Sequence, residues 1–371
     1  MKKKIRNSII GLMFILSPIK SEALNIAVIA PQEGVYQKFG QEIISGVQTA
    51  VNHINASGGL RGEKINLITV DDQCDNNIAI STAQMLAVNI SEADKVALVI
   101  GPYCSNLLKE VTDIYGRAKI FEIIPIAVNS KLFTDKPEGL VTLAGYTEQQ
   151  SADFYQYYKQ RFSGEKVALI YDSNDRDTID MAAALQQEFQ KNGKLDLLQA
   201  YSYASFEDIE AMAEEVLKDK QHIAYILGNS KQTAEIASEL KEEKKDFIIF
   251  TNKYVAQEDY DKIMGRQADD MYYFGLPSLK DNPDFAGTLV HLRLAGVEPE
   301  GLGVYGYSAV KLWEELVKGA DSFEYEELAA ELKKGKIRTT WGEVEFKDGA
   351  PADSLNFSIY KRNNGQYTQV Y

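Results

Sequence analysis

The sequence predicts an α/β protein made of two doubly wound lobes, and three observations support this fold class. Short apolar runs alternate with stretches that carry apolar residues at helical spacing, as in a parallel sheet covered by helices. This alternation occurs in two successive series along the chain. The chain has 371 residues, which is too many for a single compact core.

The first series begins with a strand at Asn25–Ala30 and a long amphipathic helix. The apolar face of that helix consists of Phe39, Ile43, Ile44, Val47, Ala50, Val51 and Ile54. Gly58 and Gly59 end it. The elements predicted next are strand Lys64–Asp71, strand Lys95–Ile100, helix Ser105–Arg117 and strand Ile120–Ile124.

The second series follows a connecting stretch near Leu140–Tyr146. Its predicted elements are strand Lys166–Tyr171, helix Asp177–Gln190, strand His222–Leu227, helix Lys231–Leu240, strand Phe247–Thr251 and strand Met271–Gly275. The remaining residues are less regular. They predict helices Tyr305–Lys318 and Phe323–Lys334, then strands Trp341–Phe346 and Ser354–Lys361 of a terminal hairpin that turns at Asp348-Gly349.

Residues 1–23 have the pattern of a cleavable secretory signal. Lys and Arg occupy four of the first six positions, an apolar run extends from Ile9 to Ile19, and small residues precede the expected cleavage point after Ala23. A membrane span needs roughly 20 apolar residues, so a retained anchor is the weaker alternative. No cysteine lies near the cleavage point. We therefore expect an exported, periplasmic protein that is not a lipoprotein.

Charge and cysteine content narrow the possible partners. Without residues 1–23 the chain carries 35 Lys and Arg against 53 Asp and Glu, a net charge of −18. Such a surface repels nucleic acid, so no nucleic-acid partner is expected. The two cysteines, Cys74 and Cys104, predict one disulfide in an exported protein. A metal site is the weaker alternative, because the three histidines are not at ligand spacing from either cysteine.

Motifs of nucleotide binding and of catalysis are missing from the sequence. It contains no G-x-G-x-x-G after a strand, no phosphate-binding G-x-x-x-x-G-K-[ST] and no G-x-S-x-G nucleophile turn. Asp71, Asp72 and Asp75 are better explained as a solvated or helix-capping turn than as metal ligands. We therefore expect no cofactor and no enzymatic activity, and an exported hydrolase is a third-ranked alternative.

Several segments resemble the leucine/isoleucine/valine-binding group of type I periplasmic solute-binding proteins, which serve ABC importers. The segments are NIAVIAPQEG (25–34), INASGGLRG (54–62), DDQCD (71–75), GPYCS (101–105), IIPIAVNS (123–130), YGYSAVKL (305–312) and the closing stretch 342–367. The resemblance implies two lobes joined by three crossings, with a ligand cleft between them. It divides the chain into a first lobe of 24–144 plus 278–340 and a second of 145–277 plus 341–371. It also implies a bond between Cys74 and Cys104, a membrane permease as partner, and a monomer.

The resemblance also implies a set of ligand-binding residues. On the first lobe, Ser105 matches the serine whose hydroxyl and N–H hold the ligand carboxylate. Ile126, Ala127 and Val128 match a loop that contacts the ammonium and the carboxylate, and Phe39 falls where the family often has tyrosine. The predicted residues of the second lobe are Arg176, Asn229 and Lys253, where other members carry aromatic residues and an acidic group.

Two of these positions depart from the family pattern. Val128 replaces a threonine, and Lys253 replaces a glutamate that would pair with the ligand ammonium. If Lys253 points out of the cleft, another acid such as Glu33 or Glu122 compensates and amino acids remain the ligands. If Lys253 and Arg176 both face the cleft, they suit a dicarboxylate, an acidic amino acid or an aromatic carboxylate. A ligand sensor with the same fold is an alternative to an importer component.

Overall fold

The computed structural model describes residues 24–34, 36–88, 95–252, 258–279, 282–297, 301–352 and 357–371, apart from the side chains of residues 258, 259 and 261. The predicted signal segment 1–23 and the predicted site residue Lys253 lie outside these ranges. Across the described ranges, every helix is too short or too polar to cross a lipid bilayer.

The first sheet has five parallel strands, in the order β2-β1-β3-β4-β5. The strands are β1 (Leu24–Ile29), β2 (Ile65–Val70), β3 (Val96–Ile100), β4 (Phe121–Ile124) and β5 (Leu140–Thr142). The helices of this series are α1 (Gln37–Ala56), α2 (Asn76–Ala87) and α3 (Leu108–Arg117), and a 3-10 turn over Ser105–Leu107 precedes α3. Every residue of β3 and β4 is buried; β3 is accordingly apolar throughout, whereas β4 includes Glu122.

The second sheet repeats this order with the parallel strands β7-β6-β8-β9-β10. The elements are α4 (Thr147–Arg161), β6 (Val167–Asp172), α5 (Arg176–Lys191), β7 (Leu198–Tyr203), α6 (Asp208–Lys218), β8 (Ile223–Leu227), α7 (Ser230–Glu243), β9 (Ile248–Asn252), α8 (Glu258–Ile263) and β10 (Tyr272–Gly275). The two doubly wound α/β sheets confirm the predicted fold class.

After β10 the chain returns to the first sheet through α9 (Ala286–Leu294), α10 (Gly303–Ala320) and α11 (Tyr325–Leu332). Helix α10 packs closely against α1, because glycines line the contact: a Cβ at Gly46 would overlap the carbonyl oxygen of Gly303. Three short strands follow as an antiparallel sheet: β11 (Lys336–Thr339), β12 (Gly342–Lys347) and β13 (Ala350–Pro351). Strands β14 (Ser358–Asn363) and β15 (Gln366–Gln369) then extend the second sheet beside β10.

The predicted terminal hairpin is wrong. The turn itself forms at Asp348 and Gly349, both at positive φ, but the strand after it is the two-residue β13. Strand β14 pairs with β10 and β15 in the other sheet. Turn chemistry and alternation identify a strand and a reversal, whereas the partner of a strand is decided by long-range packing.

Three crossings connect the lobes: between β5 and α4, between β10 and α10, and before β14. The hairpin β12–β13 stays with the first lobe, since the N–H of Thr142 in β5 donates to the carbonyl of Gly349 (2.7 Å). The hydroxyl of Tyr146 donates to the carbonyl of Asp348 (3.1 Å). These contacts favour a third crossing after Pro351 instead of at 340/341. The predicted lobe boundaries stay a prediction.

Candidate functional site

The carboxyl ends of the strands of both sheets meet in a cleft between the lobes. In each sheet the strand order reverses next to the first strand of the series, at β1/β3 and at β6/β8, and such switch points open a crevice in doubly wound folds. The two crevices face one another, because the Ser105 hydroxyl after β3 donates a hydrogen bond to Asp177 in the first turn of α5.

A disulfide holds the first-lobe wall of the cleft in place. Cys74, after β2, is bonded to Cys104, after β3, and their Cα atoms are 5.6 Å apart. The predicted pairing is therefore confirmed. Ser105 follows Cys104 directly and begins the helical turn that leads into α3. The first N–H groups of a helix have no partner inside the helix and carry partial positive charge, so this wall suits a carboxylate.

Aromatic rings continue the first-lobe wall. Phe39 in α1 is 8% exposed and stacks under Tyr103, with ring centroids 5.5 Å apart. Tyr36 packs against the same Tyr103 ring at 5.8 Å. Tyr36 and Tyr103 are half-buried, whereas Phe39 is covered. The role of Phe39 stays a prediction, and sequence reasoning missed the two tyrosines, although Tyr103 stands two residues before Ser105.

Hydrogen bonds hold the loop after β4 against β5 and the crossing that leads into α4. The hydroxyl of Thr142 donates to the carbonyl of Ile126 (2.7 Å). The N–H of Val128 donates to the carbonyl of Gly145 (3.2 Å), and the Val128 carbonyl accepts from the N–H of Thr147 (2.9 Å). The Val128 side chain is fully buried, while Ile126 and Ala127 are half-buried. Ligand contacts by Ile126, Ala127 and Val128 stay a prediction.

Three carboxylates lie at the end of β6 and in the residues that follow it, on the second-lobe wall. Asp172 accepts from the N–H of Asn174 (2.8 Å) and from the side-chain amide of Gln232 (2.9 Å). Asp175 caps α5 by accepting from the N–H of Asp177 (2.9 Å). Asp172 and Asp175 are thus engaged inside their own lobe, whereas the Asp177 carboxylate reaches across to Ser105.

The negative potential of these carboxylates extends across the cleft. The pKa of Tyr36 is raised, first by burial and then by Asp175, Asp177 and Asp172 of the opposite lobe. The pKa of Asp177 is also raised, chiefly by desolvation from nearby protein, although the residue is exposed at the surface. The hydrogen bond from Ser105 opposes that rise. The second-lobe wall is therefore electronegative.

The predicted second-lobe residues take different positions. The Arg176 side chain is 71% exposed, and its Nε lies 3.2 Å from Asp180 Oδ2, one turn along α5. Asn229 is half-buried and caps α7, with its side-chain oxygen accepting from the N–H of Gln232 (3.1 Å). Lys253 lies outside the described residues. The structure thus brings Ser105 and the first turn of α5 together, through Asp177 and not Arg176.

Of the two acids proposed to compensate for Lys253, Glu122 does not reach the cleft, and a role for Glu33, in the loop after β1, stays a prediction. Glu122 is 2% exposed inside β4 and bonds to Thr112 of α3, while Glu33 lies on an exposed turn.

Asp75 caps α2 by accepting from the N–H groups of Asn77 (2.8 Å) and Ile78 (3.0 Å). Among the described residues, no three His, Cys, Asp or Glu side chains are grouped as metal ligands would be.

Comparison with known proteins gives consistent results for the whole chain. A sequence model of a family described as periplasmic binding protein matches residues 23–364. An amino acid binding protein of Pseudomonas aeruginosa is 24% identical, over 93% of this chain and 92% of its own length. A Leu/Ile/Val-binding protein homolog of Brucella suis biovar 1 is 24% identical, over 90% and 89%.

Solved structures share the fold. A leucine binding protein from Thermotoga maritima superposes with a TM-score of 0.82 at 18% identity, covering 94% of this chain and 98% of its own. A solute binding protein of an ABC transporter from Rhodopseudomonas palustris, in complex with p-hydroxybenzoic acid, superposes with a TM-score of 0.78 at 17% identity, covering 94% and 95%.

Proposed function

This chain belongs to the family of periplasmic binding proteins, and from this premise we propose that it is the solute-binding component of an ABC importer of the branched-chain amino-acid type. It captures a small carboxylate-bearing ligand between its lobes and delivers that ligand to a membrane permease. It performs no covalent chemistry. A signal peptide over residues 1–23 directs it to the periplasm.

One observation carries this proposal: Ser105 faces the first turn of α5 across the cleft, and the two groups belong to different lobes. The N-terminal turn at Ser105 offers a hydroxyl and helix N–H groups to a carboxylate. A ligand that bonds to both walls favours the closed arrangement over the open one. Closure then creates the surface that a permease recognises.

The names of the relatives support an amino acid as the ligand class, and the Rhodopseudomonas protein shows the same fold around an aromatic acid. The described residues give less support to a ligand with two anionic ends. Arg176 is turned to solvent, and the carboxylates after β6 make the second-lobe wall electronegative. We therefore favour an amino acid over a dicarboxylate or an aromatic acid.

The test is the thermal stability of ligand-free protein starting at Leu24, measured against amino acids, dicarboxylates and aromatic acids. A ligand at 100 times its dissociation constant stabilises the folded state by about 2.7 kcal/mol, which corresponds to a shift of a few degrees. Ser105→Ala should abolish the shift without lowering the melting temperature of the free protein. The matched control is Ser81→Ala on the exposed face of α2, which should keep the full shift.

Each outcome has a defined meaning. A shift with amino acids that depends on Ser105 supports the proposal. A shift that survives Ser105→Ala places the ligand elsewhere. If folded, ligand-free protein shows no shift with any compound, the proposal fails, and a sensor or an enzyme becomes the better hypothesis.

A further inference from the structure

Asp177 lies at the point of the cleft that faces the carboxylate-binding wall. We propose that Asp177 sets the charge selectivity of the cleft by pairing with a cationic group of the ligand, so that the protein takes carboxylates that also carry an ammonium and rejects dianions. This inference rests on the proposed solute-binding function and names the chemical class of its ligand.

The geometry gives Asp177 a role that its neighbours do not have. Both oxygens of Asp172 and the Oδ1 atom of Asp175 accept hydrogen bonds from their own lobe. The Asp177 side chain crosses the cleft to the Ser105 hydroxyl. A ligand carboxylate that takes the Ser105 hydroxyl displaces Asp177 from it, and the α-ammonium, one carbon away from that carboxylate, then lies within reach of the Asp177 side chain.

The start of α5 offers Asp177 the partial positive charge of a helix N-terminus, but no side-chain cation contributes to the shift of its pKa. The adjacent Arg176 has a side chain that is 71% exposed and pairs with Asp180. Desolvation is the main cause that raises the pKa of Asp177, and the charges of Asp175 and Asp180 add to it. A carboxylate in such a site gains from a nearby cation, because the cation offsets both the desolvation and the repulsion. An ammonium supplies this cation, whereas a second carboxylate adds repulsion.

The neighbouring rings fit the same class of ligand. Tyr36 and Tyr103 are half-buried on the opposite wall, and the pKa of Tyr36 responds to Asp177. Aromatic faces attract cations and also pack against apolar groups. The wall therefore accommodates an ammonium together with an apolar side chain.

The resemblance places the acid that holds an ammonium at position 253, where this chain has Lys253. Asp177 supplies a carboxylate from the start of α5 instead, and Glu122 is too deeply buried to do so. Sequence comparison at position 253 alone predicts a change of ligand class. The carboxylate of Asp177 predicts instead that the ligand is still an amino acid and that its ammonium is bound from the start of α5.

The experiment compares wild-type protein with Asp177→Asn by calorimetric titration of L-leucine, L-lysine, 4-methylpentanoate and succinate. Asparagine keeps the shape of the side chain and an acceptor for Ser105 but removes the charge. We expect the affinity of the variant for the amino acids to fall about 10- to 100-fold. Its affinity for 4-methylpentanoate, which lacks the ammonium, should change less than about threefold, and succinate should bind no more weakly than to wild type.

Asp180→Asn is the matched control, since it removes the same charge one turn along the same helix. Its affinities should stay within about threefold of wild type. Unchanged amino-acid affinity in Asp177→Asn would overturn the inference and leave the solute-binding function intact. Tighter wild-type binding of succinate or 4-methylpentanoate than of the amino acids would do the same. Absence of binding by any probe to folded wild-type protein would count against both the inference and the amino-acid function.

Discussion

Replacing Glu122 with glutamine should stabilise the protein at neutral pH and leave ligand affinity unchanged. Glu122 sits in β4 between Val99 of β3 and Leu140 of β5, and it is 2% exposed. Its Oε1 atom has no hydrogen-bond partner among the described residues. Thr112 of α3 bonds to the carboxyl group. The substitution keeps the shape of this side chain and removes its ionisation.

The magnitude follows from the effect of burial on the carboxyl group. Burial raises the pKa of Glu122 well above its ordinary value, and the bond from Thr112 opposes this rise. The folded state therefore holds a proton that the unfolded state has released, in the pH range between the unfolded and the folded pKa. Stability falls across that range as pH rises, by at most about 1.4 kcal/mol per pH unit, and stays lower above it. The amide avoids this loss, so we expect Glu122→Gln to gain about 1–3 kcal/mol at pH 8.

The assay is urea unfolding of wild type and variant from pH 5 to pH 8, with Glu110→Gln on the exposed face of α3 as the control. The two stability curves should diverge as pH rises, while the control follows wild type. The pKa of Asp72 is also raised by burial, so some pH dependence should remain in Glu122→Gln. Parallel curves, or a variant that is less stable at pH 8, would refute the reasoning. A weaker ligand affinity in the variant would show that Glu122 reaches the cleft.

Three further predictions concern the disulfide, the helix packing and the exposed cation. Replacing Cys74 and Cys104 by serine should lower stability by about 3–4 kcal/mol, because the bond closes a loop of 30 residues; thermal unfolding measures this, and an unchanged melting temperature would contradict it. Gly46→Ala should lower the free energy of unfolding by about 1–3 kcal/mol, because the new Cβ overlaps the backbone of α10. Gly287→Ala in α9 places its Cβ in open space and should raise the free energy of unfolding by about 0.5–1 kcal/mol in the same assay. Arg176→Ala should change ligand affinity less than threefold in calorimetry, since an exposed ion pair contributes about 1 kcal/mol or less. A larger loss of affinity would show that Arg176 takes part in ligand binding.

Much of the fold could be predicted because buried parallel strands and amphipathic helices leave strong local patterns. The predicted strand at Lys166–Tyr171 and the predicted helix at Asp177–Gln190 agree with β6 and α5 within one residue at each end. Helix α4 was missed, because its buried face carries Gln150, Ser151 and Asp153 beside the aromatic rings. That mixture hides the apolar stripe on which helix prediction depends.

The candidate site was harder to predict than the fold. Ser105 came from the family resemblance; the structure places it at the start of a helical turn and against α5, and its ligand contact stays a prediction. On the second lobe, the resemblance implies a ligand contact by Arg176, which stays a prediction, and the structure places the adjacent Asp177 against Ser105. Consecutive helix residues point about 100° apart, so an alignment that is correct to one residue still leaves the facing side chain undecided.

The amino-acid sequence by itself determined the α/β class, the two series of strands and helices without α2, α4, β7 and α6 among others, the exported character expected of residues 1–23, and the Cys74–Cys104 pair. These properties depend on local periodicity, composition and the count of a rare residue type. The tertiary structure alone decided that β12 and β14 belong to different sheets, that Glu122 is sealed inside β4, and that Asp177 meets Ser105 across the cleft. Each of these results depends on contacts between residues that are distant in the chain, and no local pattern records such contacts.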